Sequence, residues 1–259
     1  MPAITPMTFT QAICRKPNTN LGSGVTTAQL GSPDIDLAMS QYDAYVKTLI
    51  GLGLKMLNLD AEPDYPDAHF IEDSAVVTPH VAVIARPGHL SRRGEELSVV
   101  PHLEDLLPIA MIEAPGTLDG GDVLLVGNHA FIGISERTNE AGAEQLSAIL
   151  ARHAFTSTMI PVSAGLHFKS SVNEIGESLL VTEDFAQRPE LANYNCIVVP
   201  RGEEYAGNTL RINDNLITPA GFPGVLAKLK PLGMKITELE MSEFQKMDGG
   251  LSCLSLRLS

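Results

Sequence analysis

Short apolar runs separated by turn residues recur along the chain about every 40–50 residues, a spacing that belongs to solenoids and propellers. Residues 119–162 show the unit most clearly. Residues 122–126 read as a strand, Gly127-Asn128 as a turn and 130–134 as a second strand. A helix is expected from about Thr138, because Leu146, Ile149 and Leu150 fall on one face, and 158–162 read as a third strand. The order is strand, strand, helix, strand.

The same order is expected over residues 73–114, where Pro101 should break or kink the helix. It recurs over 167–200, with a Gly176-Glu177 turn and a short connection in place of a helix, and over 207–240, with an Asn213-Asp214 turn and a helix carrying Val225, Leu226 and Leu229. The fifth unit is split. The last residues, SCLSLRLS, supply its first strand and FTQAICR its second. Ser32 should cap the following helix with Pro33 in its first turn, Ala38, Tyr42, Tyr45 and Leu49 should face the core, Gly51 should end it, and KMLNLD is the third strand. Pairing the terminal strands closes a ring and removes open sheet edges. The expectation is one α/β domain over residues 1–259, a five-bladed α/β propeller of ββαβ units with pseudo-five-fold symmetry. A doubly wound parallel sheet is the competing arrangement, but it does not accommodate tight hairpins between first and second strands.

Composition narrows the function classes. With 44% hydrophobic and 19% charged residues among 259, the chain has an ordinary globular balance. A net charge of −13 argues against general nucleic-acid binding, which needs a lysine and arginine surplus, and suits a cationic small substrate. The cysteines are Cys14, Cys196 and Cys253. Their odd number and the lack of a CxxC pair point to neither a disulfide framework nor a zinc ribbon, so a reducing, cytoplasmic setting is expected. The opening MPAITPMTFTQAICRKP has no basic or long apolar region, so no leader is expected; nor does any run approach a membrane span.

In a propeller, equivalent strand starts meet at one end of the central channel. Glu72-Asp73, Asp119, His167, Asn208 and Cys253 occupy those positions here. Each has a structural reading by itself. Cys253 could be a small core residue, His167 a satisfied buried histidine, and Asp73 and Asp119 turn caps, with Gly120-Gly121 favouring that for Asp119. Together, a thiol and a histidine flanked by carboxylates form the pattern of an activated cysteine. Cys14 and Cys196 read as structural.

The ordered set IEDSAVV, SRR, GTLDGGDVL, RTN, GLHFKS and KMDGGLSCLS resembles the dimethylarginine dimethylaminohydrolase family of the guanidine-modifying (pentein) superfamily, along essentially the whole chain. The resemblance implies the propeller fold and hydrolysis of N-ω-methylated arginine (asymmetric dimethylarginine, monomethylarginine) to citrulline and dimethylamine or methylamine, without metal or organic cofactor. It further implies Cys253 as nucleophile forming a thiouronium, His167 as general acid and base, and Asp119 as the carboxylate orienting it. Asp73 would grip the guanidinium with Asp67 and Glu72 in support. Arg92 and Arg137 would hold the α-carboxylate, Asp248 would lie near the amino group, and Val25 and Phe70 would contact substrate. Residues 20–27, NLGSGVTT, match a mobile lid. Phe168 replaces the usual leucine as a packing change, and His69 should face opposite to Phe70 on an extended segment. The alternatives are an arginine deiminase-like amidine hydrolase and, from another class, a non-catalytic propeller binding protein. The partner implied is a small guanidine, with no nucleic acid and no membrane, and a closed fold with free helix faces is compatible with a homodimer.

Overall fold

The computed structural model describes residues 4 and 6–259. Residues 1–3 and Thr5, part of the stretch read as carrying no leader, lie outside the described residues. In chain order the regular elements are β1 (Gln11–Arg15), α1 (Ile35–Gly51), β2 (Lys55–Leu59), β3 (Ala75–Val77), β4 (Ala82–Ile84), α2 (Val100–Leu103) and β5 (Ile109–Met111). Next come β6 (Val123–Val126), β7 (His129–Ile134), α3 (Glu140–Ala151), β8 (Thr156–Pro161), β9 (Val172–Glu174), β10 (Ser178–Val181) and β11 (Asn195–Val198). The last are β12 (Leu210–Ile212), β13 (Asn215–Pro219), α4 (Pro223–Leu229), β14 (Lys235–Leu239), α5 (Ser242–Gln245) and β15 (Leu256–Leu258).

Among the described residues these strands form five three-stranded sheets. In each, the first strand pairs antiparallel with the second, and the second pairs parallel with the third. This is the expected unit: a tight turn allows the antiparallel pair, and a crossover connection is needed for the parallel one. Ring closure is also as expected, since β15 pairs with β1 through Ile13↔Leu256 and Gln11↔Leu258. The short strands suffice because each sheet packs against a crossover and its neighbouring sheets. Ala143, Leu146 and Leu150 of α3 are fully buried with Val123, Ala130 and Ile132. Tyr42, Tyr45 and Leu49 of α1 do the same with Ala12 and Cys14. Burial of a side chain of this size contributes roughly 1.5–3 kcal/mol, which local helix propensity could not match.

Two local expectations are corrected. The cap of α1 is Asp34 rather than Ser32: its carboxylate accepts the Leu37 N–H at 3.0 Å, while Pro33 lies outside the helix. Pro101 does not break a helix. It sits in the first turn of α2, where its missing N–H has no partner to lose, and a separate 3₁₀ segment, Glu95–Val99, precedes it. Gly51 ends α1 as expected, and Gly53, at φ +93°, makes the left-handed turn after it. No helix among the described residues is long and apolar enough to cross a membrane.

Candidate active site

The topology brings ten chain segments to one end of the ring. A 3₁₀ turn precedes the first strand of every unit: Ile71–Ser74, Gly120–Asp122, Phe168–Ser170, Glu204–Gly207 and Ser252–Leu254. Successive turns touch one another around the channel. Asp73, Asp119, His167, Asn208 and Cys253 lie in or next to them. Because the second strand of each unit runs antiparallel to the first, it ends at the same mouth. The loops leaving β1, β4 and β7 therefore carry Val25, Arg92 and Arg137 to it.

At the centre, His167 Nε2 lies 3.0 Å from Asp119 Oδ2, and its Nδ1 lies 3.9 Å from Asp73 Oδ1. All three residues are buried. Burial opposes a charged imidazole, but the negative charge of Asp73, the hydrogen bond to Asp119 and the charges of Asp122 and Asp119 outweigh it and push His167 up to about 9. Asp119 is held below the usual carboxylate range: burial works against ionisation, and the His167 hydrogen bond and charge, with Arg92 and the Gly88 N–H, overcome it. Its Oδ1 accepts that N–H at 2.9 Å, and its own N–H donates to Thr138 Oγ1 at 3.1 Å. A side chain at Gly121 would stand 2.7 Å from both Asp73 Oδ1 and His167 Nδ1, so glycine is what lets the three turns approach.

Cys253 lines the same pocket as His167, with Asp67, Phe70, Asp73, Arg92 and Arg137 also in its wall. Its sulfur accepts the Gly250 N–H at 3.4 Å and is half-buried. Burial and the charges of Glu72 and Asp73 push the thiol up to about 12, with the Gly250 N–H and Lys169 acting the other way. In the absence of a cationic ligand, thiol and imidazolium are thus the resting forms near neutral pH. Cys14, by contrast, is fully enclosed in the core beside α1, and its thiol is also pushed up to about 12 by burial. Cys196 is partly buried among apolar residues.

Two buried polar atoms of this pocket have no partner: Asp67 Oδ1 and Arg137 Nη1. An acceptor and a donor left bare at such depth are costly unless a ligand completes them. Asp67 Oδ2 accepts the Val25 N–H at 3.0 Å. Asp248, at φ +58°, accepts Thr27 N–H at 2.5 Å and the hydroxyls of Thr26 and Thr27 at 3.2 and 3.0 Å. Residues 20–27 are in this way fastened over the pocket, which retains only about 10 Å³, room for about one water.

Arg92 lines the pocket but is heavily engaged. It donates to Asp73 Oδ2 at 2.6 Å, to Glu95 Oε1 through Nε and Nη2, and to the carbonyls of Asp67 and Phe70. Glu72 lies outside the pocket wall. It is buried against Lys169 Nζ at 2.7 Å, with Arg257 and the Ser252 hydroxyl as further donors. Asp119 stands behind His167. Val25, Phe70 and Asp248 line the pocket. His69 is corrected: its ring lies 3.9 Å from that of Phe70 instead of pointing away, because 65–73 is a run of turns rather than an extended segment. Phe168 is a packing residue, fully buried edge-on to Phe185.

Sequence reasoning missed several residues that hold the site. Asp122 accepts the Phe168 N–H at 2.9 Å and the Ser135 hydroxyl at 2.6 Å, and Ser135 Oγ in turn accepts the N–H groups of Arg137 and Thr138. Asn208, expected at the mouth as a strand-start residue but without a role, joins the cysteine turn by accepting Ser252 N–H and donating to its hydroxyl. Leu166 and Met247 complete the pocket wall. Asp73, Asp119 and His167 offer ligand-type atoms within 4.8 Å of one another. A metal there would displace the Arg92 and imidazolium charges that already neutralise the two carboxylates.

A model of the arginine deiminase family matches residues 110–167. The N(G),N(G)-dimethylarginine dimethylaminohydrolase of Pseudomonas aeruginosa is 37% identical over 96% of this chain and 99% of its own length. The Streptomyces coelicolor protein of the same name is 34% identical over 96% of each chain. The chain belongs to the dimethylarginine dimethylaminohydrolase family. A solved structure of the Pseudomonas enzyme, a cysteine-to-serine variant complexed with citrulline, superposes with a TM-score of 0.95 over 97% of this chain and all of its own. A histidine-to-glycine variant of a dimethylarginine dimethylaminohydrolase, solved as an adduct with S-methyl-L-thiocitrulline and 37% identical, gives 0.94. The N-terminal domain of ArgZ, a cyanobacterial arginine dihydrolase 18% identical, gives 0.87 and shares the fold. Family membership and fold thus agree with the five-unit ring described above.

Proposed function

We propose that this enzyme hydrolyses N-ω-methylated arginine to citrulline and dimethylamine or methylamine, with Cys253 as covalent nucleophile and His167 as general acid and base. The observation that carries the reading is one pocket lined by the Cys253 thiol and the Asp119-backed His167, with Asp67 Oδ1 and Arg137 Nη1 bare in its buried surroundings. An amino acid with a guanidinium has the complementary charges. Its cation suits carboxylates and its α-carboxylate suits an arginine fork.

In this reading Asp73 and Asp67 face the cationic parts of the substrate, and Arg137, with Arg92, meets its carboxylate. Glu72 acts from beneath by fixing Lys169, Ser252 and Arg257 around the cysteine turn. The cationic guanidinium next to Cys253 lowers the thiol pKa, so substrate helps to make its own nucleophile. Sulfur forms a bond to the guanidinium carbon while the C–N bond to the methylated nitrogen breaks, and His167 gives that nitrogen its proton. Water then adds to the thiouronium carbon and loses one proton to His167; as the C–S bond breaks, the second proton of the added water passes to solvent, where the released neutral amine takes one up, and citrulline and the thiolate are freed. Water is the sole co-reactant, and the steps balance without redox chemistry. Since the closed pocket holds about one water, the segment carrying Val25 must lift to admit substrate.

The match to the arginine deiminase model supports a second reading in which unmethylated arginine is the substrate. Citrulline release from asymmetric dimethylarginine, monomethylarginine and arginine in parallel separates the two. The methylated substrates are expected to exceed arginine by at least about tenfold in kcat/KM, the scale on which methyl contacts and unpaired amine protons discriminate. Faster turnover of arginine would shift the assignment to the deiminase reaction.

A further inference from the structure

A buried carboxylate just outside the pocket wall has no part in the reaction described above. Glu95 begins the 3₁₀ segment Glu95–Val99, which packs on the Ile71–Ser74 turn that carries Asp73. Its side chain is fully enclosed, yet only one of its oxygens is used. Oε1 accepts from Arg92 Nε at 3.0 Å and from Arg92 Nη2 at 2.5 Å, while Oε2 is buried without a partner. A carboxylate facing that edge of a guanidinium can set one oxygen on each N–H, the two-bond fork that makes such pairs strong. Here the remaining nitrogen of the group, Nη1, donates to Asp73 Oδ2 at 2.6 Å. Arg92 is therefore shared by two carboxylates. Asp73 lines the pocket, and Glu95, which does not, is left half-engaged.

We propose that Glu95 is the positioning residue for Arg92, and that substrate binding moves Arg92 from this shared hold into a full fork with Glu95. The proposal rests on the reading above, in which Asp73 meets the guanidinium and Arg92 the α-carboxylate. A substrate guanidinium competes with Arg92 Nη1 for Asp73, because both are planar cations with the same bonding pattern. Once Asp73 turns to substrate, Glu95 Oε2 takes Nη2 while Oε1 keeps Nε, and the bare oxygen is satisfied. Nη1 is then free for the substrate carboxylate, with the guanidinium held along its other edge. Around Glu95 stand Arg92 and Glu96 of its own loop, the latter accepting the Gly94 N–H, and Asp73 and Asp67 from the run of turns at 65–73. Arg15 of β1, paired with Glu62, also acts on it, and the adjoining α2 carries His102. Burial, opposed by the Arg92 charge and hydrogen bond and assisted by Asp73 and Asp67, pushes Glu95 up to about 7. The full fork favours the ionised carboxylate, so below that pH substrate binding must expel the Glu95 proton, and KM rises as pH falls.

The test compares asymmetric dimethylarginine with N-ω,N-ω-dimethylagmatine, its counterpart lacking only the carboxylate. KM and kcat are measured for the first, and the inhibition constant Ki for the second in competition with it. Glu95→Gln breaks the fork, because its amide offers a donor where Arg92 also donates. Its KM should rise at least about tenfold more than its Ki, with kcat within about threefold of wild type. Between pH 7.5 and 6 the wild-type KM should rise by about tenfold. Glu95→Gln should lose that rise, and Glu95→Asp, which keeps the charge, should retain it. A pocket merely loosened by the substitution would raise KM and Ki together. An unchanged ratio of Ki to KM in Glu95→Gln would therefore overturn the assignment. If that variant does not fold, a wild-type KM that stays flat between pH 7.5 and 6 would overturn it. Absence of turnover of asymmetric dimethylarginine by the wild type would instead overturn the underlying reaction, and this role with it.

Discussion

Cys253→Ser should lose at least about 10³-fold in kcat while still folding and still binding asymmetric dimethylarginine. The substitution is close to isosteric, and a serine hydroxyl can accept the Gly250 N–H as the sulfur does, so stability should change by no more than about 1 kcal/mol. The chemistry does not survive as well. A hydroxyl ionises far less readily than a thiol, and the one nearby proton carrier, His167, is already charged through its carboxylate neighbours. It is set up to donate to a leaving amine rather than to take a proton from serine. Isothermal calorimetry and citrulline release on the same preparation check both halves. Turnover within tenfold of wild type would exclude Cys253 as the nucleophile.

The second large effect is expected from Asp119→Asn. An amide can keep one hydrogen bond to His167 but not the charge that, with Asp73, lifts the imidazole to about 9. The general acid should then be deprotonated at a lower pH. The alkaline limb of kcat/KM should move down from near pH 9, and the rate at neutral pH should fall by about 10²–10⁴-fold. The stability consequence has a definite sign. The raised His167 pKa adds stability that is complete below its unfolded value, about 6.5, and disappears as pH rises through about 9. The lowered Asp119 pKa adds stability that disappears only as pH falls through a value below 3.8. The Tm gap between wild type and variant should therefore be wide between those limits and narrow above pH 9. An unchanged pH profile would make Asp119 a packing residue.

The ring was legible in the sequence because each unit repeats the same punctuation. Gly127-Asn128, Gly176-Glu177 and Asn213-Asp214 mark hairpins whose strands are too short to pair any other way, and the left-handed φ of Gly127, Gly176 and Asn213 bears this out. The strand-start rule then brought Asp73, Asp119, His167 and Cys253 to one mouth. What stayed hidden depends on contacts between units. Glu72 read as a ligand group from its place beside Asp73, but Ser252 and Arg257, which occupy it, lie 180 and 185 residues away. Asp122 read as the first residue of a strand, and only the fold reveals the Phe168 N–H and Ser135 hydroxyl that it accepts. His69 was misread because period-two alternation was assumed where the backbone turns. Asp34 displaced Ser32 as the cap because the helix starts two residues later than the serine suggested.

Covalent attack by Cys253 on a methylated guanidinium is the central claim, and intact-mass spectrometry after rapid acid quench tests it most directly. During turnover of asymmetric dimethylarginine, a fraction of the enzyme should gain the mass of the substrate less one dimethylamine. Peptide mapping should place that gain on Cys253, and Cys253→Ala should show none. An enzyme that releases citrulline at full rate with no adduct on Cys253, or with the adduct on Cys14 or Cys196, would contradict the account.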